Sequence, residues 1–476
     1  MGSGRSRRHG ADAPHQGPVR PGAPARPRPV RWRDLMTDSA FDALHPPQRE
    51  LIDDCVHCGF CLPSCPTYEL WGEEMDSPRG RIYLMKEGLE GEPMTGSMVG
   101  HFDACLGCMA CVTACPSGVQ YGTLITETRA QVERRHERGR WEKLLRAGIF
   151  ALFPYPRRLR AMRGPLALYQ KTGLSKLVKR SGLLRKMPAS LRVMESLAPP
   201  ISRAPKLGNR VPARGTRRAT VGMITGCVQS AFFPDVNAAT ARVLSAEGCD
   251  VVIPRAQGCC GALSEHTGRE EEAVRFARNL LDTFEDAGVE YVVINSAGCG
   301  STLKEYPRLL RDDPEYAEKA ERFSARVRDI AELLVELGPV AERHPLPVRA
   351  AYHDACHLAH GQGIRSQPRE LLRGIPGMEV REINRGELCC GSAGVYNILQ
   401  PEAAMDLGDR KAENVLDTGA ELLISANPGC AMQIRTSLER RGSELAMAHT
   451  VEVLDASIRG LGAEALLGDA ERKPTG

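Results

Sequence analysis

Two cysteine runs with identical spacing constrain this chain more than any other feature of its sequence. They are CVHCGFCLPSCP, which begins at Cys55, and CLGCMACVTACP, which begins at Cys105, and both read C-x2-C-x2-C-x3-C-P. Turns of two residues let three thiolates surround one iron–sulfur cube, while the fourth cysteine, before proline, reaches a neighbouring cube. Zinc ribbons instead pair two C-x2-C hooks across a longer loop and have no use for a third cysteine at this spacing.

The spacing therefore predicts two [4Fe–4S] clusters, each with ligands from both runs. The first cysteine set comprises Cys55, Cys58, Cys61 and Cys115, and the second cysteine set comprises Cys105, Cys108, Cys111 and Cys65. Gly59 and Gly107 are small residues at points where the backbone passes close to a sulfur.

The chain has 476 residues and 17 cysteines, an odd number that is clustered in tight groups. A secreted disulfide-rich protein is usually smaller and carries an export signal, and the N-terminal arginines here lead into Gly and Pro rather than an apolar run. No apolar stretch approaches the roughly 20 residues of a membrane span. We expect a cytoplasmic protein, with peripheral contact at the inner face of the membrane as an alternative.

From residue 219 onwards, short β-branched strands alternate with longer amphipathic helices, and this pattern occurs twice. Strands are predicted at 219–226, 250–254 and 291–296 and again in VRAAYHD, MEVREI and ELLISAN, with helices at about 235–247, 269–287 and 401–417. The alternation favours two α/β units with largely parallel sheets.

Cysteines repeat in the same two units, which we call CCG units after their Cys-Cys-Gly runs. The third cysteine set comprises Cys227, Cys259, Cys260 and Cys299, and the fourth comprises Cys356, Cys389, Cys390 and Cys430. Each member of the fourth set follows its counterpart in the third at a nearly constant interval, which indicates an internal duplication. From the residues alone, an iron–sulfur cluster, redox-active thiols and another metal remain open for these sets. Cys249 has no counterpart and is expected to be a core thiol.

Charge is strongly segregated along the chain. The overall charge is +4, but residues 1–34 carry +6 and residues 129–220 carry +20, which leaves −22 for the rest. The basic block 129–220 is interpreted as an electrostatic docking surface; it lacks any nucleic-acid-binding module, so no nucleic-acid partner is expected. Its apolar stripe, including Trp141, Ile149 and Phe150, either packs on the cluster domain or lies on a membrane surface, and Pro154, Pro156 and Pro165 are expected to interrupt its helices.

The predicted fold class is α+β, with an N-terminal α-helical ferredoxin-type domain that holds two [4Fe–4S] clusters, followed by two α/β CCG units. The predicted segments are a disordered Arg/Pro-rich head (1–44), the cluster domain (45–128), a basic helical and linker segment (129–218), the first CCG unit (219–345), the second CCG unit (346–462) and a tail (463–476).

Two ferredoxin motifs followed by two CCG units resemble the iron–sulfur subunits related to heterodisulfide reductase, glycerol-3-phosphate dehydrogenase and glycolate oxidase. The strings CVHCGFCLPSCPTY, DSPRGRIYLMKE, NSAGCG, CCGSAGVYN and NPGC look most like the glycolate oxidase iron–sulfur subunit. In the fullest CCG pattern of that superfamily a further cysteine stands where this chain has Thr302 and Gln433, which leaves four cysteines per unit here rather than five.

The resemblance implies an electron-transfer subunit of a 2-hydroxy-acid dehydrogenase complex that does not oxidise substrate itself. FAD-binding partner subunits would oxidise glycolate to glyoxylate, and a quinone or other acceptor would take the electrons. Glycerol 3-phosphate, D-lactate or a disulfide are the alternative substrates. The chain has no G-x-G-x-x-G after a strand and no P-loop, so we expect FAD only on a partner. Because His353, Asp354, His357 and His360 can carry protons, the second CCG unit is the expected terminal redox site; the alternative is that these histidines are structural.

Overall fold

The computed structural model of the protein describes residues 39–182, 186–201, 205 and 207–468. The predicted disordered head, 1–44, lies outside the described residues as far as residue 38. For residues 39–44 the prediction of disorder is wrong, because Ala40 and Phe41 are buried in the core of the cluster domain. The Phe41 ring lies so close to Gly88 that a Cβ there would be 2.6 Å from it.

The cluster domain is helical. Its elements are α1 (Arg49–Asp53), α2 (Pro66–Trp71), a 3-10 turn (Glu74–Asp76), α3 (Pro78–Leu89), α4 (Gly96–Ala104), α5 (Ala110–Ala114) and α6 (Tyr121–Arg135). Ser77 caps α3 by accepting a hydrogen bond from Gly80 N at 3.0 Å, and Pro78 occupies the first helical position, where its missing N–H is no loss. Ile82 and Met85 of this helix pack against Phe102 in the apolar core.

The basic segment folds into further helices: α7 (Arg140–Leu152), α8 (Pro156–Lys171), α9 (Leu174–Arg180) and α10 (Ala189–Ser196). Pro156 begins α8, as a proline at the first position allows. The expectation that Pro165 interrupts the helix is wrong, because Pro165 lies inside α8.

Helix α7 and the residues just before it contact both the cluster domain and the second CCG unit. Arg138, just before it, donates to Asp103 of the cluster domain at 2.7 Å and to Glu142 at 2.6 Å. Ile149 and Phe150 are buried against Val395 and Ile398 of the second CCG unit. Ile149 and Phe150 therefore pack on the second CCG unit, and these two residues are not available to a membrane surface.

The first CCG unit contains β1 (Arg210–Val211), β2 (Ala219–Met223), α11 (Val228–Phe232), α12 (Pro234–Ala246), β3 (Cys249–Val252), α13 (Ala262–Glu265), α14 (Glu270–Glu285), β4 (Tyr291–Ile294), α15 (Ala297–Lys304), α16 (Tyr306–Leu309), α17 (Ala317–Ser324), β5 (Val327–Asp329) and α18 (Ile330–Leu337). Its strand order is β1-β3-β2-β4-β5, parallel except for β1, which pairs antiparallel with β3.

The second CCG unit contains β6 (Arg349–His353), α19 (Cys356–Ala359), α20 (Ser366–Arg373), β7 (Glu379–Glu382), α21 (Tyr396–Leu399), α22 (Pro401–Leu416), β8 (Leu422–Ser425), α23 (Pro428–Arg440), β9 (Ala446–Ala448), α24 (Thr450–Ile458) and α25 (Glu464–Leu467). Its parallel sheet has the order β7-β6-β8-β9. This order matches β3-β2-β4-β5, so the duplication seen in the cysteines extends to the topology.

The two CCG units share one core and are joined by polar contacts. Helix α12 packs on α24 within a common apolar cluster. Arg242 of α12 contacts Asp455 of α24 through two hydrogen bonds of 2.9 and 2.7 Å, and His449 Nε2 lies 2.9 Å from Asn295 O. Cys249 is fully buried in this core, as predicted, and burial raises the pKa of its thiol to about 11.

None of the helices in the described residues combines the length and apolar character that crossing a membrane requires.

Candidate metal centres

The two cysteine loops of the cluster domain adopt the same backbone conformation at matching positions. His57 and Gly107 have φ values of 53° and 64°, and Gly59 and Met109 have values of 87° and 61°. Positive φ is uncommon for residues other than glycine. In this conformation Gly107 N donates to Cys105 Sγ at 3.3 Å, and His57 N donates to the first cysteine of its own run. Turns of this kind direct amide dipoles at a negatively charged group.

Within the cluster domain, cysteines assigned to the same set lie near one another. Burial raises the pKa of Cys55, and Cys115 and Cys58 of the first set raise it further. Burial likewise raises the pKa of Cys111, followed by contributions from the other members of the second set. Burial raises the pKa of Cys61 to about 11, and smaller contributions from Cys55 of the first set and Cys65 of the second place this thiol where the two sets adjoin. Each set thus brings four thiols together without a disulfide.

Two arginines place positive charge beside the second set. Arg81 is 1% exposed and donates to Asp76 O at 2.5 Å and to Thr67 Oγ1 at 3.1 Å. Arg129 donates to the backbone carbonyl of Cys105. Burial tends to raise the pKa of the Cys105 thiol, but Arg81 and Arg129 offset it, and the pKa lies below its usual value. The arrangement favours the thiolate, which is the form that binds metal.

Each CCG unit gathers its four cysteines at the carboxyl ends of its parallel strands, where such sheets form binding sites. In the third set, Cys227 Sγ lies 3.6 Å from Cys259 Sγ, and Cys260 contacts Cys299. The fourth set forms a continuous series of thiol contacts in the order Cys356, Cys389, Cys390 and Cys430.

The glycine after each Cys-Cys pair is required by the same close approach in both units. Gly261 and Gly391 have φ values of 84° and 86°. A Cβ on them would lie 3.2 Å from Ala273 O and 2.6 Å from Ala404 O, on the matching helices α14 and α22. The duplication therefore preserves the local geometry of the turn that carries the paired cysteines.

Histidines distinguish the fourth set from the third. His353 is buried within reach of Cys390 and Cys430, with the ligand atoms of all three within 4.8 Å of one another. His357 lies 3.6 Å from Cys356 Sγ and stacks on His266 of the first CCG unit, with 4.8 Å between ring centroids. The remaining candidate, His360, does not approach the thiols in this way: it contacts Thr113 Oγ1 at 2.7 Å and Glu387 O at 3.1 Å.

The second, fourth and third sets follow one another in space. Cys108 and Cys356 lie in one apolar cluster, and after burial Cys356 makes the largest contribution to the raised pKa of Cys108. A cavity of about 120 Å³ then separates the fourth set from the third, lined by cysteines of both and by the stacked pair His266 and His357. Apolar side chains such as Phe153 complete its wall.

The positions of the further cysteine in the fullest CCG pattern are occupied by Thr302 and Gln433. Both side chains are buried and make polar contacts with neighbouring residues. Thr302 Oγ1 lies 3.3 Å from His266 Nε2. Gln433 Nε2 donates to Ala404 O at 2.8 Å, and its Oε1 accepts from Asn397 at 3.1 Å. Four cysteines per unit are therefore what the described sites offer.

Three known domain families match consecutive parts of the chain. The family described as "4Fe-4S dicluster domain" matches residues 51–119, and "Cysteine-rich domain" matches 221–304 and 350–435. The family described as "Glycolate oxidase iron-sulfur subunit, linker region" matches 141–198, which is the segment of α7 to α10.

Similar proteins extend over most of the chain. The probable glycolate oxidase iron–sulfur subunit of Bacillus subtilis is 39% identical over 406 residues, which cover 83% of this chain and 90% of that protein. The glycolate oxidase iron–sulfur subunit of Escherichia coli is 37% identical over 414 residues, 86% of this chain and 94% of that protein.

The chain belongs to the glycolate oxidase iron–sulfur subunit family. A shorter relative, lactate utilization protein A of Exiguobacterium, is 31% identical over 240 residues, which cover 50% of this chain and 98% of that protein. The family membership agrees with the α+β fold class and with the iron–sulfur character predicted from the cysteine runs.

Several residues at these sites carry no clear signal in the sequence. Arg81 lies in the DSPRGR string, which supports the resemblance but assigns the arginine no role. Arg129 and His266 stand in no motif, and only the fold brings them to the thiols. Lys411 is 2% exposed and donates to Arg385 O and Gly386 O at 3.0 Å. It lies close enough to Cys389 and Cys390 of the fourth set to interact with them electrostatically.

Proposed function

We propose that this chain carries electrons from a flavin-binding partner, which oxidises glycolate to glyoxylate, to a quinone-type acceptor. The observation that carries the proposal is the sequence of sites in space: first set, second set, fourth set, cavity and third set. Such a series joins one surface of the cluster domain to a cavity between the CCG units. Family membership supports the class of substrate, since two relatives are named as glycolate oxidase subunits.

The residues present fit iron–sulfur clusters in the cluster domain. Four thiols converge in each set, and the turns at His57 and Gly107 direct N–H groups at sulfur. We assign the first set to one [4Fe–4S] cluster and the second set to the other. When bound, such clusters supply one-electron redox chemistry at potentials that the surrounding charges and hydrogen bonds adjust. The third and fourth sets are assigned to further iron centres of the same electron path.

The protein's own contribution is to hold these thiolates in place and keep water away. Arg81 and Arg129 offset the negative charge of the second set in a buried setting, and Lys411 does so for the fourth. Tyr396 of the second CCG unit donates a hydrogen bond to Ala104 O of the cluster domain at 3.1 Å. This contact keeps Cys108 and Cys356 side by side.

The partner's docking surface is assigned to α8 and α9. Their exposed face, which we call the basic–apolar face, mixes positive charge with large apolar side chains; it comprises Arg157, Arg160, Lys171, Arg180, Met162, Leu168, Leu174 and Leu177. An acidic flavoprotein fits the charge of this face, and exposed apolar groups among the charges are typical of protein interfaces. A cytoplasmic location with peripheral contact to anionic lipid is the alternative use of the same face.

The proposal is tested by reducing the chain through its partner. The full chain is expressed with the flavoprotein that co-purifies with it, and glycolate, D-lactate or glycerol 3-phosphate is added anaerobically while cluster absorbance is recorded. Glycolate should bleach the clusters, and a quinone analogue should restore the absorbance. Bleaching by D-lactate or glycerol 3-phosphate alone would assign another substrate. Bleaching that no quinone reverses would remove the acceptor from the proposal.

A further inference from the structure

His353 has no nitrogen or oxygen partner for either ring nitrogen. It is 1% exposed, both Nδ1 and Nε2 are buried, and the groups that its ring meets are the thiols of Cys390 and Cys430. His449, by contrast, meets Asn295 O with one nitrogen and Val451 N with the other. Buried polar groups are almost always satisfied, so an unsatisfied imidazole indicates a ligand that belongs there.

The place of His353 in the fold makes a metal the fitting ligand. It is the last residue of β6, at the carboxyl end of the strand that leads to Cys356. Its ring lies against Cys390 and Cys430, and the nitrogen and the two sulfurs are within 4.8 Å of one another. Imidazole nitrogen and thiolate sulfur are both ligands of iron in proteins.

Among the described residues, the position of the first CCG unit that matches His353 carries no imidazole. Counting back three positions from the matching Cys227 and Cys356 pairs Ile224 with His353, and Ile224 is fully buried in the apolar core. Lys411 likewise corresponds to the buried Leu280, because each lies two helical turns beyond the alanine that faces the Cys-Cys-Gly turn of its own unit. The duplicated units have kept their cysteines and changed the groups around them.

We propose that His353 is a nitrogen ligand of the iron centre in the fourth cysteine set, which is therefore a mixed histidine–cysteine site, whereas the third set is a site of sulfur alone. A neutral imidazole adds a ligand without adding negative charge, and the buried Lys411 lies beside the same centre, so we expect its reduction potential to be higher than that of the all-sulfur third set. The fourth set would then be the first CCG site to accept an electron. This inference rests on the proposal that the fourth set holds iron.

The test compares nitrogen coupling in the full-length holoprotein and in variants at one position. Protein grown with ¹⁴N- or ¹⁵N-histidine is poised anaerobically at mild potential, and pulsed electron paramagnetic resonance records the nuclei coupled to the reduced centre. Wild-type protein should show strong histidine nitrogen coupling, and His353→Gln should lose it. The matched control is His360→Gln, further along the same segment, whose nitrogens contact Thr113 Oγ1 and Glu387 O; it should keep the coupling.

His353→Cys separates ligation from a structural role. It should retain iron, lose the nitrogen coupling and lower the reduction potential of the centre, a combination that a packing residue would not produce. Coupling that persists in His353→Gln, or a potential unchanged in His353→Cys, would overturn the inference while leaving the electron path intact. Iron content that is the same in wild type and Cys390→Ser, or zinc in the fourth set, would overturn the premise and the inference together.

Discussion

Replacement of Arg81 by methionine should destabilise the loops that hold the second cysteine set far more than replacement of Arg79 by methionine destabilises its own surroundings. Arg81 is buried at 1% exposure and reaches four acceptors, two of them on Asp76: the backbone O at 2.5 Å and Oδ1 at 3.1 Å. Breaking one side of a buried ion pair costs about 3–5 kcal/mol, because the remaining charge is left in the interior. His101 Nδ1, at 2.9 Å, is the main partner left for the Asp76 carboxylate.

Arg79 provides the matched control within the same helix turn. Its pair with Glu74, at 2.6 Å, is 28% and 41% exposed at the two side chains. Pairs of this kind contribute about 0–1 kcal/mol. Arg79 also donates to His57 O of the first cysteine loop at 3.1 Å, but this contact is exposed as well, so loss of Arg79 should disturb that loop only slightly.

The assay is the rate at which cluster absorbance disappears in urea under anaerobic conditions. Where cluster loss requires local opening of the loops, about 1.4 kcal/mol corresponds to a tenfold change in rate. Arg81→Met should then lose its clusters roughly 100- to 4,000-fold faster than wild type, and Arg79→Met less than about fivefold faster. An increase below about tenfold for Arg81→Met, or equal effects at the two positions, would refute the reasoning from burial.

Three further outcomes follow from the described contacts. Cys55→Ser should remove about four irons and leave the CCG units folded, as iron analysis and circular dichroism will show. Charge reversal at Arg157, Arg160 and Arg180 should slow association with the flavoprotein at low salt and matter little at high salt, where exposed charges are screened. Burial lowers the pKa of His449 to about 4, against 6.5 for the free side chain, so the unfolded chain binds the extra proton between these values. Stability should be complete above pH 6.5 and fall by about 3 kcal/mol towards pH 4 in urea titrations, and His449→Asn should flatten that loss.

Each of these outcomes has a result that contradicts it. Unchanged iron in Cys55→Ser would remove the first cysteine set from the cluster assignment. An association rate that is the same with and without the reversed charges, at low and at high salt, would show that α8 and α9 are not the docking surface. A urea midpoint that falls equally with acid in wild type and His449→Asn would show that another group controls the low-pH stability.

Local spacing accounts for the parts of the fold that the sequence predicts. The strands at β2, β3, β4, β6 and β8 are predictable because parallel strands buried on both faces are continuous apolar runs. The repeated interval between the CCG cysteines likewise predicts the matching sheets. The identical run spacing also predicts which thiols of the cluster domain come together, since each turn contains only two or three intervening residues.

Long-range packing accounts for what the sequence does not show. Ile149 and Phe150 are expected on the cluster domain or a membrane, but they contact Val395 and Ile398, which lie in the second CCG unit, far along the chain. Pro165 is expected to interrupt the helical pattern; it lies within α8 instead. Likewise, nothing in the sequence brings Cys108 beside Cys356, because that neighbourhood depends on how the second CCG unit docks onto the cluster domain.

In the electron path that we propose, this docking places the fourth set before the third. The histidines of the second CCG unit suggest a terminal site, yet the fourth set adjoins the second set and the third lies beyond the cavity. If His353 ligates the fourth set, we expect that set to collect electrons next to the cluster domain, and the stacked His266 and His357 lie beside the cavity that follows it. The imidazoles of His266 and His357 lie with the cysteines at the cavity wall, and the quinone-type acceptor that we propose would need protons as well as electrons there. We therefore explain the divergence of the two units by two different roles. The second CCG unit would collect electrons from the cluster domain, and the first would form the opposite wall of the cavity.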